Sequence, residues 1–134
     1  MAIFGLIEKA DASPEVRAVY DDIMTTRKTD WINNFWKALA HDPGLLKRTW
    51  EDTKELMAQA TLDAVTKELI YLAVSITNGC PYCVAAHTAS ARKKGMTDAM
   101  FDEMMAITAL ANGNNRLANG YQIEVDEQFK SPAK

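Results

Sequence analysis

Apolar residues recur along the chain at steps of three and four, the period of an amphipathic helix. Val16, Val19, Tyr20, Ile23 and Met24 keep that spacing behind Ser13-Pro14-Glu15. A hydroxyl for the cap, a proline at the first helical position and an acid in the first turn predict a helix start there. A second, aromatic-rich helix is expected from Trp31 to Ala40, before the break at Asp42-Pro43. A third runs from near Pro43 to about Ala60, with Leu46, Trp50 and Met57 on one stripe. A fourth spans Asp63 to Thr77 and stops at Asn78-Gly79, a pair suited to a helix C-terminus. Cys80-Pro81 opens a fifth that ends at Gly95, and Thr97-Asp98 caps a sixth that reaches about Ala111. A last segment is expected after the break at Asn112-Gly113-Asn114. No run alternates strictly, no hairpin dipeptide joins strand-like runs, and no internal repeat is visible. The pattern predicts an all-α chain of six to seven helices in a single domain over 1–134, with Met1–Ala12 and Gln128–Lys134 as loose ends.

The fourth helix carries an acid on its apolar side. Val65, Leu69, Leu72 and Ile76 share one face, and Ile70 and Val74 fall opposite, so the helix is expected to be central. Glu68 lies about 60° from Val65, at the edge of the main stripe. A lone buried carboxylate is costly, so Glu68 is expected to be paired, hydrogen-bonded or protonated. A basic residue such as Arg92 is one partner; a role in chemistry is the other reading.

Composition narrows the function classes. Among 134 residues, 48% hydrophobic and 25% charged is an ordinary globular balance. A net charge of −3 without a basic run gives no footprint for nucleic acid. No apolar stretch approaches the roughly 18 residues of a membrane span, and Met1–Leu6 lacks the basic flank of a secretory leader. A cytoplasmic setting is therefore expected, where two cysteines three apart are poor structural staples.

The fifth helix holds the candidate chemistry. Cys80 sits at its cap, Cys83 one turn in and His87 four residues further, within about 60° of one another on the wheel. The helix N-terminus favours thiolate over thiol, which points to Cys80. An imidazole one turn away can take a proton, which points to Cys83. The i, i+3 spacing lets the two sulfurs close a disulfide, and Ala85, Ala86, Ala89 and Ala91 keep the helix slim. A thiol–disulfide redox centre is the leading reading. Zinc held by the two cysteines, His87 and Glu68 is a second, weakened by the missing second cysteine pair. Inert core cysteines are a third.

Glu68, eleven intervening residues, Cys80-Pro81-Tyr82-Cys83, three more residues and His87 resemble the signature of the AhpD-like alkylhydroperoxidases, within the carboxymuconolactone decarboxylase superfamily. The likeness is close from Asp63 to Met96 and looser elsewhere. It implies an all-α fold in which Glu68 reaches the cysteine helix from the preceding one. It also implies a peroxidase that reduces alkyl hydroperoxides or hydrogen peroxide. Cys83 would be the peroxidatic thiol, deprotonated through His87 and Glu68, and Cys80 the resolving one. A dihydrolipoamide- or thioredoxin-like dithiol would be the electron donor, with no metal and no other cofactor. Homo-oligomers, trimers or hexamers, are expected on the same ground. One departure stands out: Tyr82 occupies the position where the family carries a histidine, so a phenol could contribute only a hydrogen bond to the proton route. The alternatives are a non-enzymatic thiol sensor or zinc-binding helical protein, and a lactone decarboxylase, whose chemistry leaves the cysteine pair without a task.

The remaining singled-out residues read as structural. His41 fits a helix end, and Trp31, Phe35, Trp36 and Trp50 fit a core or a subunit interface. The seven methionines suit adaptable packing.

Overall fold

The computed structural model describes residues 3–130. Six α-helices account for its regular structure: α1 Pro14–Arg27, α2 Asn34–Leu39, α3 Pro43–Ala58, α4 Ala64–Asn78, α5 Pro81–Lys93 and α6 Asp98–Gly120. Single 3-10 turns lie at Lys9–Asp11 and Glu127–Phe129, and no strand occurs among the described residues. The chain divides into two compact units, Met1–Ala60 and Thr61–Lys134.

In the first unit, α1 starts where the Ser13 Oγ accepts the Val16 N–H at 3.3 Å, and α3 where Asp42 accepts the Leu45 N–H at 3.0 Å. The apolar stripes of these two helices then meet: Val16, Val19, Tyr20 and Ile23 of α1 are buried together with Leu46 and Trp50 of α3. Trp36 from α2 meets Trp50 edge-on at 5.5 Å, and the Arg27 guanidinium lies 5.5 and 5.3 Å from the two ring centroids. The Trp50 indole donates to Asp22 at 2.7 Å, so the large ring is buried without an orphaned N–H.

Two expectations change in this unit. The aromatic helix starts at Asn34 rather than Trp31, because the Thr29 hydroxyl accepts the Trp31 N–H and holds that stretch out of the helix. Trp31 is left exposed. The expected loose start is also tied down from Ile7 onward. The Tyr20 hydroxyl donates to the Ile7 carbonyl at 2.8 Å, the Ile7 N–H donates to the Lys37 carbonyl, and Ala12 is buried. His41 lies just past α2, against the Gly5 carbonyl. Met1, Ala2 and residues 131–134, the outer parts of the expected loose ends, lie outside the described residues.

In the second unit, Asp63 caps α4 by accepting the Thr66 N–H at 2.9 Å. The helix ends at Gly79 in the left-handed region, φ +69°, and the Cys80 N–H bonds back to the Ser75 carbonyl at 3.0 Å. That terminating turn reverses the chain within two residues, and Pro81 restarts a helix at once. α4 and α5 thus form a tight helical hairpin, with α6 also packed against α4. Leu72, Ala91, Met96 and Met104 form the buried centre of this unit.

The expected break at Asn112-Gly113-Asn114 does not occur, and α6 continues to Gly120. The Asn112 amide donates to the Thr108 carbonyl and to the Thr77 hydroxyl, so its side chain supports the helix rather than competing with it. Nor is α4 buried all round: Ile70, Tyr71 and Val74 are about half exposed. α5 and α6 cover only the Leu72 side of that helix.

Candidate functional site: a disulfide beside a buried carboxylate

Cys80 is the N-cap residue of α5, with extended backbone, and its Sγ accepts the Cys83 N–H at 3.3 Å. The two cysteines are paired as a disulfide, Cα to Cα 5.4 Å, and no other cysteine is present. The cap contact places the Cys80 sulfur at the positive end of the helix, where an anion is favoured. Cys83 sits one helical turn before His87 on the same side of α5. Both cysteines are partly buried, and Tyr82 is exposed between them. A shallow, mainly apolar groove of about 420 Å³ lies over Cys80, lined by Ser75, Ile76, Gly79, Pro81, Val84 and Ala85.

Glu68, on α4, is 1% exposed and carries no fewer than three donors. His87 Nδ1 lies 2.7 Å from its Oε2, the Ser90 hydroxyl donates to Oε1 at 2.8 Å, and the Lys94 ammonium donates to Oε1 at 2.5 Å. Burial pushes the carboxyl up, but the hydrogen bonds from His87, Lys94 and Ser90 outweigh it and hold Glu68 down at about 2. An ionised carboxylate only accepts, so the imidazole donates to it from Nδ1, and in the neutral ring Nε2 is the nitrogen left to accept a proton. The Tyr71 ring stacks on the imidazole at 3.6 Å between centroids and 17° between planes, which fixes the ring plane.

The four residues expected from the sequence therefore fall into two contact pairs, Cys80 with Cys83 and His87 with Glu68, related by the one-turn spacing of Cys83 and His87 on α5. Arg92 is not the partner of Glu68. It pairs with Asp98 at 2.8 Å, while Lys94 reaches the acid. Three contributors escaped the sequence reading: Tyr71, Ser90 and Lys94. The signal was present, since Tyr71 lies three residues after Glu68, and Ser90 and Lys94 follow His87 at three and seven. Among the described residues no group of three or more His, Cys, Asp or Glu side chains is arranged to hold a metal ion.

Residues 43–123 match the family model described as the carboxymuconolactone decarboxylase family. The chain belongs to that family. The crystal structure of the alkylhydroperoxidase AhpD core from Rhodospirillum rubrum ATCC 11170 is 52% identical, with a TM-score of 0.93, over 96% of this chain and 97% of that one. Carboxymuconolactone decarboxylase family membership and an AhpD-like all-α fold thus rest on both comparisons. Curated relatives match over shorter stretches. Uncharacterized protein 4 in cox locus of Paracoccus denitrificans is 36% identical over 73 residues, 49% of this chain and 66% of its own length. Uncharacterized protein YdfG of Bacillus subtilis (strain 168) is 40% identical over 47 residues, 35% of this chain and 32% of its own. The chain spans less than two thirds of the length of either of these relatives.

Proposed function

We propose that this member of the carboxymuconolactone decarboxylase family is a thiol-dependent peroxidase acting on alkyl hydroperoxides or hydrogen peroxide through Cys80 and Cys83. The observation that carries the reading is a disulfide at a helix N-terminus, one turn from an imidazole held by a buried carboxylate. The likeness to the AhpD core supports the same class of chemistry.

In the reduced state Cys83 loses its proton to His87, which Glu68 orients, and its thiolate attacks the terminal peroxide oxygen. An S–O bond forms, the O–O bond breaks, and the alkoxide leaves as alcohol after taking a proton. The Cys80 thiol then attacks the sulfenic acid of Cys83, closing the disulfide and releasing water. A dithiol donor, dihydrolipoamide- or thioredoxin-like, reopens it by two exchanges. Attack on the Cys83 sulfur expels Cys80, and the Cys83 N–H that faces the Cys80 sulfur stabilises that leaving thiolate. A cytoplasmic setting, which keeps a dithiol pool available, and a homo-oligomeric state, trimer or hexamer, belong to the same proposal. A lactone decarboxylase, the activity in the family's name, would leave the cysteine pair idle.

The test counts free thiols in reduced, metal-free protein before and after one equivalent of alkyl hydroperoxide, then after adding dihydrolipoamide. Two thiols should vanish together and return with the dithiol. Thiols that survive the peroxide would overturn the reading.

A further inference from the structure

Between the two partners of the proton-handling pair, the surroundings are unequal. His87 keeps an open ring nitrogen, whereas both oxygens of Glu68 are already taken. His87 faces Oε2, and Ser90 and Lys94 both face Oε1. A proton placed on either oxygen would point at an existing donor and sacrifice at least one of these bonds. We infer that Lys94 is a positioning residue of this site: paired with Ser90 on Oε1, it keeps Glu68 a fixed anion, so that Glu68 orients His87 and does not itself receive the thiol proton. The S–H bond broken at the cysteine is then replaced by an N–H bond at His87 Nε2, and the transfer stops there.

The placement of Lys94 supports a dedicated role. His87, Ser90 and Lys94 are spaced by three and four, so one stripe of α5 and its end delivers all three donors to one carboxylate. Of the basic run Arg92-Lys93-Lys94, Arg92 turns outward to Asp98 with its side chain 53% exposed, and Lys94 turns inward at 32%. Its backbone is fixed as well, with the Lys94 N–H shared among the Ser90, Ala91 and Arg92 carbonyls, before Gly95 leads the chain away at φ +107°. The low position of Glu68 answers to His87, Lys94 and Ser90 together against burial, which agrees with this geometry.

The inference rests on the thiol reading above, but its test needs no peroxide. Glutamate carboxyl carbons are labelled with ¹³C, and Glu68 is assigned by the signal lost in Glu68→Gln. The reduced protein is then titrated, with the pH dependence of thiol alkylation measured alongside. In the wild type the Glu68 signal should stay flat from about pH 4 to 9. Lys94→Met should bring a Glu68 titration into that window and move the alkylation profile to higher pH, because a cation has been withdrawn from the site. Lys94→Arg should restore both. If Lys94→Met does not fold, Lys94→Gln carries the same measurement, keeping a donor without the charge. A Glu68 that titrates in the wild type near the ordinary value, or a neutral variant with unmoved profiles, would overturn the inference. Failure of the peroxidase reading would instead show as thiols untouched by peroxide, whatever Glu68 does.

Discussion

At the residue scale, the two sulfurs have different surroundings and should fail differently. Cys83→Ser should abolish peroxide consumption, measured as loss of hydroperoxide under excess dithiol. Cys80→Ser should consume about one equivalent and stop, with a sulfenic acid trapped on Cys83 by a dimedone-type reagent. Turnover by either variant at the wild-type rate would reject the assigned order of events. Glu68 also ties the site to the stability of the fold. Its carboxyl lies at about 2 against an ordinary 4.5, so the unfolded chain takes up a proton at a higher pH than the folded one. Its stabilisation, on the order of 3 kcal/mol, is complete above about pH 4.5 and is lost as the pH falls towards 2. Urea melts at pH 7 and pH 3 should show this as a drop in wild type that is much smaller in Glu68→Gln. The candidate site residues Cys80, Cys83, His87 and Glu68 were legible from their types and spacing, whereas those that hold Glu68 were not. A serine and a lysine on a helix face read as solvated surface, and only the approach of α4 turns them towards Glu68.

At the element scale, one dipeptide has two outcomes in this chain. Asn78-Gly79 ends α4, while Asn112-Gly113 passes through the middle of α6. Local sequence treats them alike. The difference is that Gly79 takes φ +69° and lets the Cys80 N–H reach the Ser75 carbonyl, whereas Asn112 is held by the Thr108 carbonyl and the Thr77 hydroxyl. The second arrangement needs a neighbouring helix, so the sequence alone could not distinguish it. Caps act within three residues, so Ser13 and Thr97 were legible as caps, and the boundaries read at Asp42 and Asp63 prove to be caps as well. Gly79→Ala meets open space but would force a β-carbon into a left-handed turn, and should lower stability by about 1 kcal/mol. Because this turn sets the Cys80 cap, the same variant should also reduce peroxide turnover. A chemical melt paired with an activity assay reads both effects from one preparation, and Lys93→Ala on the outer surface serves as the unaffected control.

At the scale of the whole molecule, the apolar surface is larger than a solitary chain of this size needs. From residue 113 to 130 every residue is exposed, including Leu117, Tyr121, Ile123, Val125 and Phe129. Ile70, Tyr71 and Val74 add a half-exposed apolar strip on α4. Patches of this kind mark surfaces that become covered. The proposed homo-oligomer accounts for them, and it accounts for the failed expectation that α4 is buried all round: the sequence marks a face as apolar without saying whose atoms cover it. Light scattering of the purified protein should give three or six times the chain mass. Ile123→Lys with Phe129→Lys should lower that multiple while leaving the helical circular dichroism unchanged, since neither side chain is buried within its own chain. A wild-type monomer would contradict the oligomer.

The three tryptophans, Trp31, Trp36 and Trp50, all belong to the first compact unit, and both cysteines belong to the second. The optical reporter and the redox-sensitive crosslink are thus in different units of one short chain. Indole emission follows the loosening of the Arg27-centred cluster in the first unit, whereas helical circular dichroism also counts the hairpin whose start the disulfide closes. Heating ramps of reduced and oxidised protein read in both channels therefore resolve which unit loosens first, and closing the disulfide should raise the circular-dichroism midpoint by more than the indole midpoint.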